Sequence, residues 1–400
     1  MILFGHPTGN PNSHHAALAY WEVGKLEAFC VPWLPEKWEL GLLKAIPGLG
    51  KEAERLSRRR FEPLAAAPKV QGRPGEWGRL VRRKMGGGEE LSYEANDWLM
   101  RTMTKEASHR SVKAVHSYED CSLWQFQAAK KMGKACIYDM PIGYYGWWKK
   151  KEAELAKKYR DWLMPENVSS SHGVPPEQKK KEMEMADVVL APSTFVAQTI
   201  REYFDKDVQI LPYGAEPNVG LGTPSGLHER CQFLFAGTAS VRKGVPFLLE
   251  TWAKLGWKDA ELVLAGSWQL HPSLLRRLPS GVRYVGLLNP KEMRQMFQES
   301  DWLVHPSNFE GFSLSILEAL GAGLPVVAST ATGASDLGPS SCVILFEPEN
   351  RDQLIAALVQ AKETCRRFRP QEASDVVSGH SWGKYRQDLV QTVLQKFANL

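Results

Sequence analysis

A chain of 400 residues with 43 % hydrophobic and 24 % charged residues has the composition of a folded globular protein, and at roughly 100–200 residues per domain it divides most naturally into two. No run approaches the ~20 apolar residues of a membrane-spanning helix, and the apolar start Met1 to Phe4 is too short for a secretory signal, so a cytoplasmic protein is expected. The net charge of +5 is uneven: Leu49 to Lys84 carries eleven Lys/Arg against four Glu, Lys149 to Arg160 six against two, and Gln232 to Leu400 is nearly neutral.

The chain opens with a strand, Met1 to His6, a turn Pro7-Thr8-Gly9-Asn10, and an apolar-periodic helix predicted from Ser13 to Phe29. Leu34 to Ala107 is polar, Trp-containing and helical where readable. A strand at Val112–His116, a helix near Glu119–Met132 and a strand at Ala135–Tyr138 follow. Charged helices fill Trp148–Met164 and Pro176–Ala186. Strand Asp187–Ala191, helix Ser193–Phe204 and strand Val208–Leu211 complete the first half. Pro212 to Glu229, with three prolines and four glycines, is the candidate linker. Beyond it, strands at Gln232–Ala236, Glu261–Ala265, Val282–Val285, Trp302–His305, Pro325–Ala328 and Val343–Phe346 alternate with helices. Such alternation implies parallel sheets covered on both faces. Two in series imply two doubly wound domains facing a cleft, with ligands outside the strands' carboxyl ends.

Two stretches concentrate the chemistry. Asp301 to Ala328 reads strand, loop, helix, turn, strand, with Ser313 as N-cap of an apolar helix Leu314–Leu320. The amides of Gly311, Phe312 and Ser313 would then face an anion. Glu310 stands at the mouth, and Glu318 lies about one and a half turns into the helix. Carboxylates so placed can hold hydroxyls on either side of a bound phosphate. Upstream, Phe233 to Gly244 ends a buried strand in a glycine loop and places Arg242-Lys243 at a helix start. Cations are unfavourable there unless an anion joins them. The GxxxxGK spacing of a Walker loop is absent.

These features resemble the retaining glycosyltransferases of family 4, which have the GT-B fold. Glu310 and Glu318 match the family's E-x7-E motif, and Arg242-Lys243 its diphosphate-binding pair; the similarity extends back through Glu184 to Ser193 and Leu211-Pro-Tyr-Gly214. The resemblance implies two Rossmann-like domains across a cleft, here 1–212 on the acceptor side and 213–380 on the nucleotide-sugar side. It further implies a last helix, 381–400, crossing back to the first domain. Glu310 would contact the donor sugar and Glu318 the ribose. Arg242, Lys243, the 311–313 amides and Gly9 would hold the diphosphate of a UDP- or GDP-linked donor, with no metal and no cofactor. Many members carry a histidine after the strand matching Ala135–Tyr138; here Asp139 takes that place, or the role moves to His116 or Glu119. An inactive nucleotide-sugar-binding protein and a nucleotide-sugar epimerase are the alternative readings.

The remaining signals are weighed against these. Six cysteines without a CxxC pair give no zinc or disulfide pattern. Asp205-Lys206-Asp207 spells a DxD metal motif, but it joins a helix to a strand and reads as a turn. Of fourteen tryptophans, Trp147 and Trp148 after the Asp139 loop are candidates for contact with an acceptor or a membrane. Trp77 to Met85 is a basic amphipathic stretch, with Arg79, Arg82 and Arg83 off its apolar face; it suits an anionic membrane surface or an acidic acceptor. Nucleic acid is not expected, because no nucleic-acid motif accompanies the charge. The reading is a glycosyltransferase acting on a glycan or lipid-linked acceptor, at the inner face of the membrane.

Overall fold

The computed structural model describes all residues except 47, 58, 85–89, 165–173, 216–229, 366, 368 and 398–400, and leaves undescribed the side chains of 51, 80, 81, 83, 84 and 90–92. Most of the candidate linker, the end of the Trp77–Met85 stretch and part of its apolar face lie outside the described residues.

Two wholly parallel sheets organise the chain. The first has seven strands, β1 (Ile2–Gly5), β2 (Leu26–Val31), β3 (Lys69–Gln71), β4 (Ala114–Tyr118), β5 (Ala135–Asp139), β6 (Val188–Ala191) and β7 (Val208–Ile210), in spatial order 3-2-1-4-5-6-7. The second has six, β8 (Cys231–Ala236), β9 (Ala260–Ala265), β10 (Val282–Gly286), β11 (Trp302–His305), β12 (Val326–Ser329) and β13 (Val343–Phe346), in order 10-9-8-11-12-13. The central strands are buried on both faces, which is why they read as unbroken apolar runs. The order reverses between β1 and β4 and again between β8 and β11, so each sheet opens a crevice there at its carboxyl edge. Both crevices receive the residues singled out above.

The predicted helix Ser13–Phe29 is corrected. The helix runs Pro11–Glu22 and Leu26–Val31 is strand β2. Gly24 stops the helix at φ +65, and five of the six residues Leu26–Val31 are buried inside the sheet, only Glu27 being half-buried; Phe29 and Val31 are of the aromatic and β-branched types that pack well there. The polar stretch after residue 34 also contains the short strand β3 and a small separate core of Trp33, Leu40, Leu43, Ala53 and Leu56.

The final helix, Trp382–Lys396, lies on the helix Pro11–Glu22. Trp382 stacks on His15 at 4.4 Å between centroids, and Arg386 Nε donates to Glu22 Oε2 at 2.9 Å. Ala215 and Ser381 pair as a parallel bridge. Among the described residues no helix is long and apolar enough to cross a membrane.

Candidate functional site

The loop after β8 and the loop after β11 meet. Arg242 Nη1 donates to the Phe309 carbonyl at 2.8 Å and to Glu310 Oε1 at 3.2 Å. Lys243 Nζ forms an ion pair with the same oxygen, and Ser307 Oγ donates to it at 2.7 Å. Glu310 is only 9 % exposed. Burial alone would raise its pKa, but Lys243 and Arg242 outweigh that and hold it below the ordinary carboxylate range. Burial pulls the Lys243 ammonium down despite Glu310. Two cations and one carboxylate leave this cluster, buried at Lys243 and Glu310 and half-buried at Arg242, with a net charge of +1, which a further anion would neutralise.

The expected anion site at the start of helix Leu314–Gly321 needs correction. Ser313 is the N-cap residue, but its hydroxyl lies 3.1 Å from His305 Nε2 instead of capping the helix, and its amide donates to the Thr332 carbonyl at 3.0 Å. That amide is spent, so only Gly311 and Phe312 remain of the three. Gly311 is held by the first half of the chain: Ser193 Oγ donates to its carbonyl at 2.7 Å, and a Cβ there would sit 1.7 Å from the Pro141 carbonyl oxygen. Only glycine allows this approach between the two sheets' loops. His305 is buried and neutral, its pKa pushed down to about 3 by burial and then by Lys243.

Gly9 has φ +75, as a turn glycine should. Its amide donates to His6 Nδ1 at 2.9 Å, so it too is occupied within the protein and is not a ready donor to a diphosphate. The Gly9 turn instead sets the start of helix Pro11–Glu22, capped by Asn10.

Glu318 stands in a cavity of about 590 Å³ between the two halves. Leu288, Met293 and Leu317 line one wall, and His14, His15 and Phe61 the other. Arg60 and Arg294 also reach it. Solvent touches the Glu318 carboxylate, yet the surrounding walls desolvate it enough to raise its pKa. Among the described residues it has no ion-pair or hydrogen-bond partner. Arg242, Lys243 and Glu310 do not line this cavity, so Glu318 and Glu310 face different spaces.

Asp139 ends β5 and is 3 % exposed. His116, at the β4 level, points Nε2 toward it at 3.6 Å and takes the Tyr20 hydroxyl on Nδ1 at 2.9 Å. Tyr118, Tyr213 and Tyr385 surround the same carboxylate. Burial, and then the Asp139 charge, push all three phenols well above their ordinary pKa. Tyr385 comes from the last helix, and among the described residues none of the three hydroxyls has a hydrogen-bond partner. Sequence reading named Asp139 and His116 but missed this phenol cage, because Tyr213 and Tyr385 are distant in the chain and carry no spacing signal.

The other candidates fall as follows. Glu119 is buried against Lys179 Nζ at 3.1 Å; burial raises its pKa to about 7 although Lys179 opposes. Trp147 stacks on Phe309 across the two halves, with centroids 5.8 Å apart. Asp207 of the DxD triplet pairs with Lys396. Arg79, expected off the apolar face, is 13 % exposed and shares the buried Glu76 with Arg59, at 2.8 and 2.7 Å. Arg82 forms a forked pair with Glu94. Cys231 and Cys365, unrelated by spacing, come together with Asp301 within 4.8 Å.

Residues 230–363 match the profile of the group 1 glycosyl transferases. The O-antigen chain mannosyltransferase B of Escherichia coli is 28 % identical over 144 residues, 32 % of this chain and 36 % of that protein. The MMP alpha-(1->4)-mannosyltransferase of Mycolicibacterium hassiacum is 27 % identical over 232 residues, 55 % of each. The chain thus spans about a third of the Escherichia coli protein and half of the other. Among solved structures, the lipopolysaccharide outer core galactosyltransferase WaaB superposes with a TM-score of 0.64 at 14 % identity, covering 99 % of both chains. Anabaena HepE in complex with UDP-glucose superposes at 0.59 and 15 % identity, covering 98 % of this chain and 99 % of that one. The fold is GT-B.

Proposed function

We propose that the chain is a retaining, metal-independent glycosyltransferase of the family 4 kind, moving a sugar from a UDP- or GDP-linked donor to a hydroxyl of a glycan or lipid-linked acceptor. The observation that carries this reading is the Arg242–Lys243–Glu310 cluster, a largely enclosed group of net positive charge whose Arg242 reaches solvent, at the point where the second sheet's strand order reverses. The likeness over 230–363 supports it, since that segment contains the cluster and Glu318. HepE is complexed with UDP-glucose, and a relative in Corynebacterium glutamicum is a GDP-mannose-dependent mannosyltransferase; both support the donor class. The domain division 1–212, 213–380 and 381–400 belongs to the same proposal, as does placement at the cytoplasmic face of a membrane.

Chemistry follows from charge. Breaking the glycosidic bond loads negative charge on the departing diphosphate, and cations fixed beforehand lower that barrier. In this reading the diphosphate draws Lys243 and Arg242 to itself. Glu310, relieved of part of its ion pairing, accepts hydrogen bonds from the sugar hydroxyls. Asp139 faces the sugar from the first sheet, and Glu318 takes the ribose in the cavity. Front-face attack by the acceptor hydroxyl forms the new glycosidic bond as the sugar–phosphate bond breaks, the hydroxyl proton passes to the departing phosphate oxygen, and with no protein nucleophile the configuration is retained.

The test is a thermal-shift screen of UDP- and GDP-sugars followed by detection of released nucleoside diphosphate. A ligand that binds only the folded state raises its melting temperature. Lys243→Ala should cut turnover by ~10²–10³. No shift and no release with any donor, or dependence of release on an added divalent ion, would overturn the proposal.

A further inference from the structure

A second cavity, of about 490 Å³, opens between the two halves and shares no lining residue with the one that holds Glu318. Its floor is aromatic. Trp147 lies half-buried, Phe195 stands edge-on to it at 5.4 Å and 89°, and Phe309 stacks beneath it at 10°. Trp148 stacks on the same Phe309 ring at 4.9 Å. Four rings from three chain segments therefore brace one another, and Trp147 presents a fixed indole to the cavity.

The rim is polar. Gln198 and Ser335 are exposed on it, and Thr330 Oγ1 donates to Glu347 Oε2 at 3.0 Å. Asn308, fully buried behind the wall, donates its amide Nδ2 to the Val241 carbonyl and to Glu349 and so ties the two loops that frame the cavity. The two charged residues on the lining, Lys151 and Glu347, are of opposite sign, so the cavity favours neither a diphosphate nor a polyanion.

An indole plane, an amide, hydroxyls and no net charge are what a neutral sugar ring needs: an apolar face to stack on and hydrogen-bonding groups around its edge. Asn308 is two residues from Glu310, so a chain of sugars lying here would end beside the proposed transfer point. We infer that this cavity binds the neutral hexose units of an acceptor glycan, with Trp147 as the stacking platform and Gln198 and Ser335 as polar contacts. The word acceptor rests on the glycosyltransferase reading; the binding does not.

The test is fluorine NMR of the full chain labelled with 5-fluorotryptophan, the Trp147 resonance being assigned with Trp147→Phe. Maltotriose and an α-linked mannotriose are the neutral probes, and trigalacturonate is the acidic one. A saturable shift of the Trp147 resonance is expected with a neutral trisaccharide. Gln198→Ala, at an exposed position, should weaken that binding about 2- to 10-fold, the worth of one hydrogen bond, with the melting temperature unchanged. No saturable shift at tens of millimolar, or an equal response to trigalacturonate, overturns the inference. The titration needs no donor, so its failure is separable: if UDP or GDP raises the melting temperature while the trisaccharides do nothing, only the acceptor cavity falls.

Discussion

Glu310→Gln should split stability from nucleotide binding. In the free protein the carboxylate is almost fully buried and ties Lys243 and Arg242 to one oxygen. Removing one partner of a buried ion pair costs ~3–5 kcal/mol, because the opposite charges stay buried and uncompensated. Gln keeps the shape and can still accept from Ser307, so the low end, ~3 kcal/mol, applies. At ~2–4 °C per kcal/mol for a domain of this size, the apparent melting temperature should fall by about 6–12 °C. A nucleoside diphosphate would then meet two cations that no longer have to leave Glu310. Its affinity should rise by about tenfold, or ~1.4 kcal/mol, and its addition should restore much of the lost stability. Turnover should nevertheless drop by ~10² or more, since the charge facing the sugar is gone. Acid dependence gives a second check. A carboxylate held below its ordinary value contributes stability that is present above about 4.5 and lost as pH falls through the depressed value. The wild-type chain should lose that contribution in acid; the Gln variant has none to lose. Scanning fluorimetry with and without UDP and GDP, calorimetry, and donor release measure all of this. If Glu310→Gln leaves the melting temperature unchanged, or weakens nucleotide binding along with stability, the cluster does not work as argued.

Glu318→Gln should weaken nucleoside diphosphate binding by ~1.5–3 kcal/mol, the worth of a charged hydrogen bond, and leave stability nearly unchanged because Glu318 has no partner to lose; normal binding by calorimetry would remove it from the ribose. Glu119 has a folded pKa raised from 4.5 to about 7, so the folded state holds its proton longer and stability falls as pH rises through that window. Lys179, Asp120 and Glu182 face it, and Glu119→Gln should flatten this decline between pH 5 and 7 in melting scans; an unchanged slope would refute the assignment. Vesicle sedimentation tests the basic segment. Binding to anionic but not neutral lipid, weakening with salt as charges are screened beyond ~8–10 Å, is expected of Leu49 to Lys84, and equal binding to both lipids would exclude an electrostatic contact.

How much of the fold could be read beforehand depended on burial. The strands of the second sheet are apolar runs bounded by Gly, Pro or Asp, and their predicted positions lie within a residue or two of the observed ones. In the first half, β2 escaped because Leu26–Val31 continues the apolar pattern of the preceding helix across Gly24. A single glycine inside a periodic run does not by itself mark a helix end, and periodicity alone does not separate a short buried strand from a helix. β3 escaped for the opposite reason. It is three half-buried residues at the sheet edge, with one apolar side chain among them.

The site was legible as a list of residues and illegible as a set of bonds. Spacing along a strand-loop-helix unit locates Glu310 and Glu318 well, because both ride on one element. It cannot say which donors the surrounding fold has already claimed. The Ser313 amide goes to Thr332, the Gly9 amide to His6, and Glu119 to Lys179; each partner lies on a different segment or turns back locally. The residues left without partners carry the stronger functional signal. Glu318 is one of them: among the described residues its carboxylate has no partner, and it stands in the cavity between the two sheets. Being enclosed without a partner is not enough, since Trp252 Nε1 and Tyr385 Oη are both in that state inside the packed fold; what marks Glu318 is that its open carboxylate also faces a cavity a ligand can enter. That difference ranks Glu318 above Gly9 and Ser313 as a ligand contact, an order that the motif match did not supply.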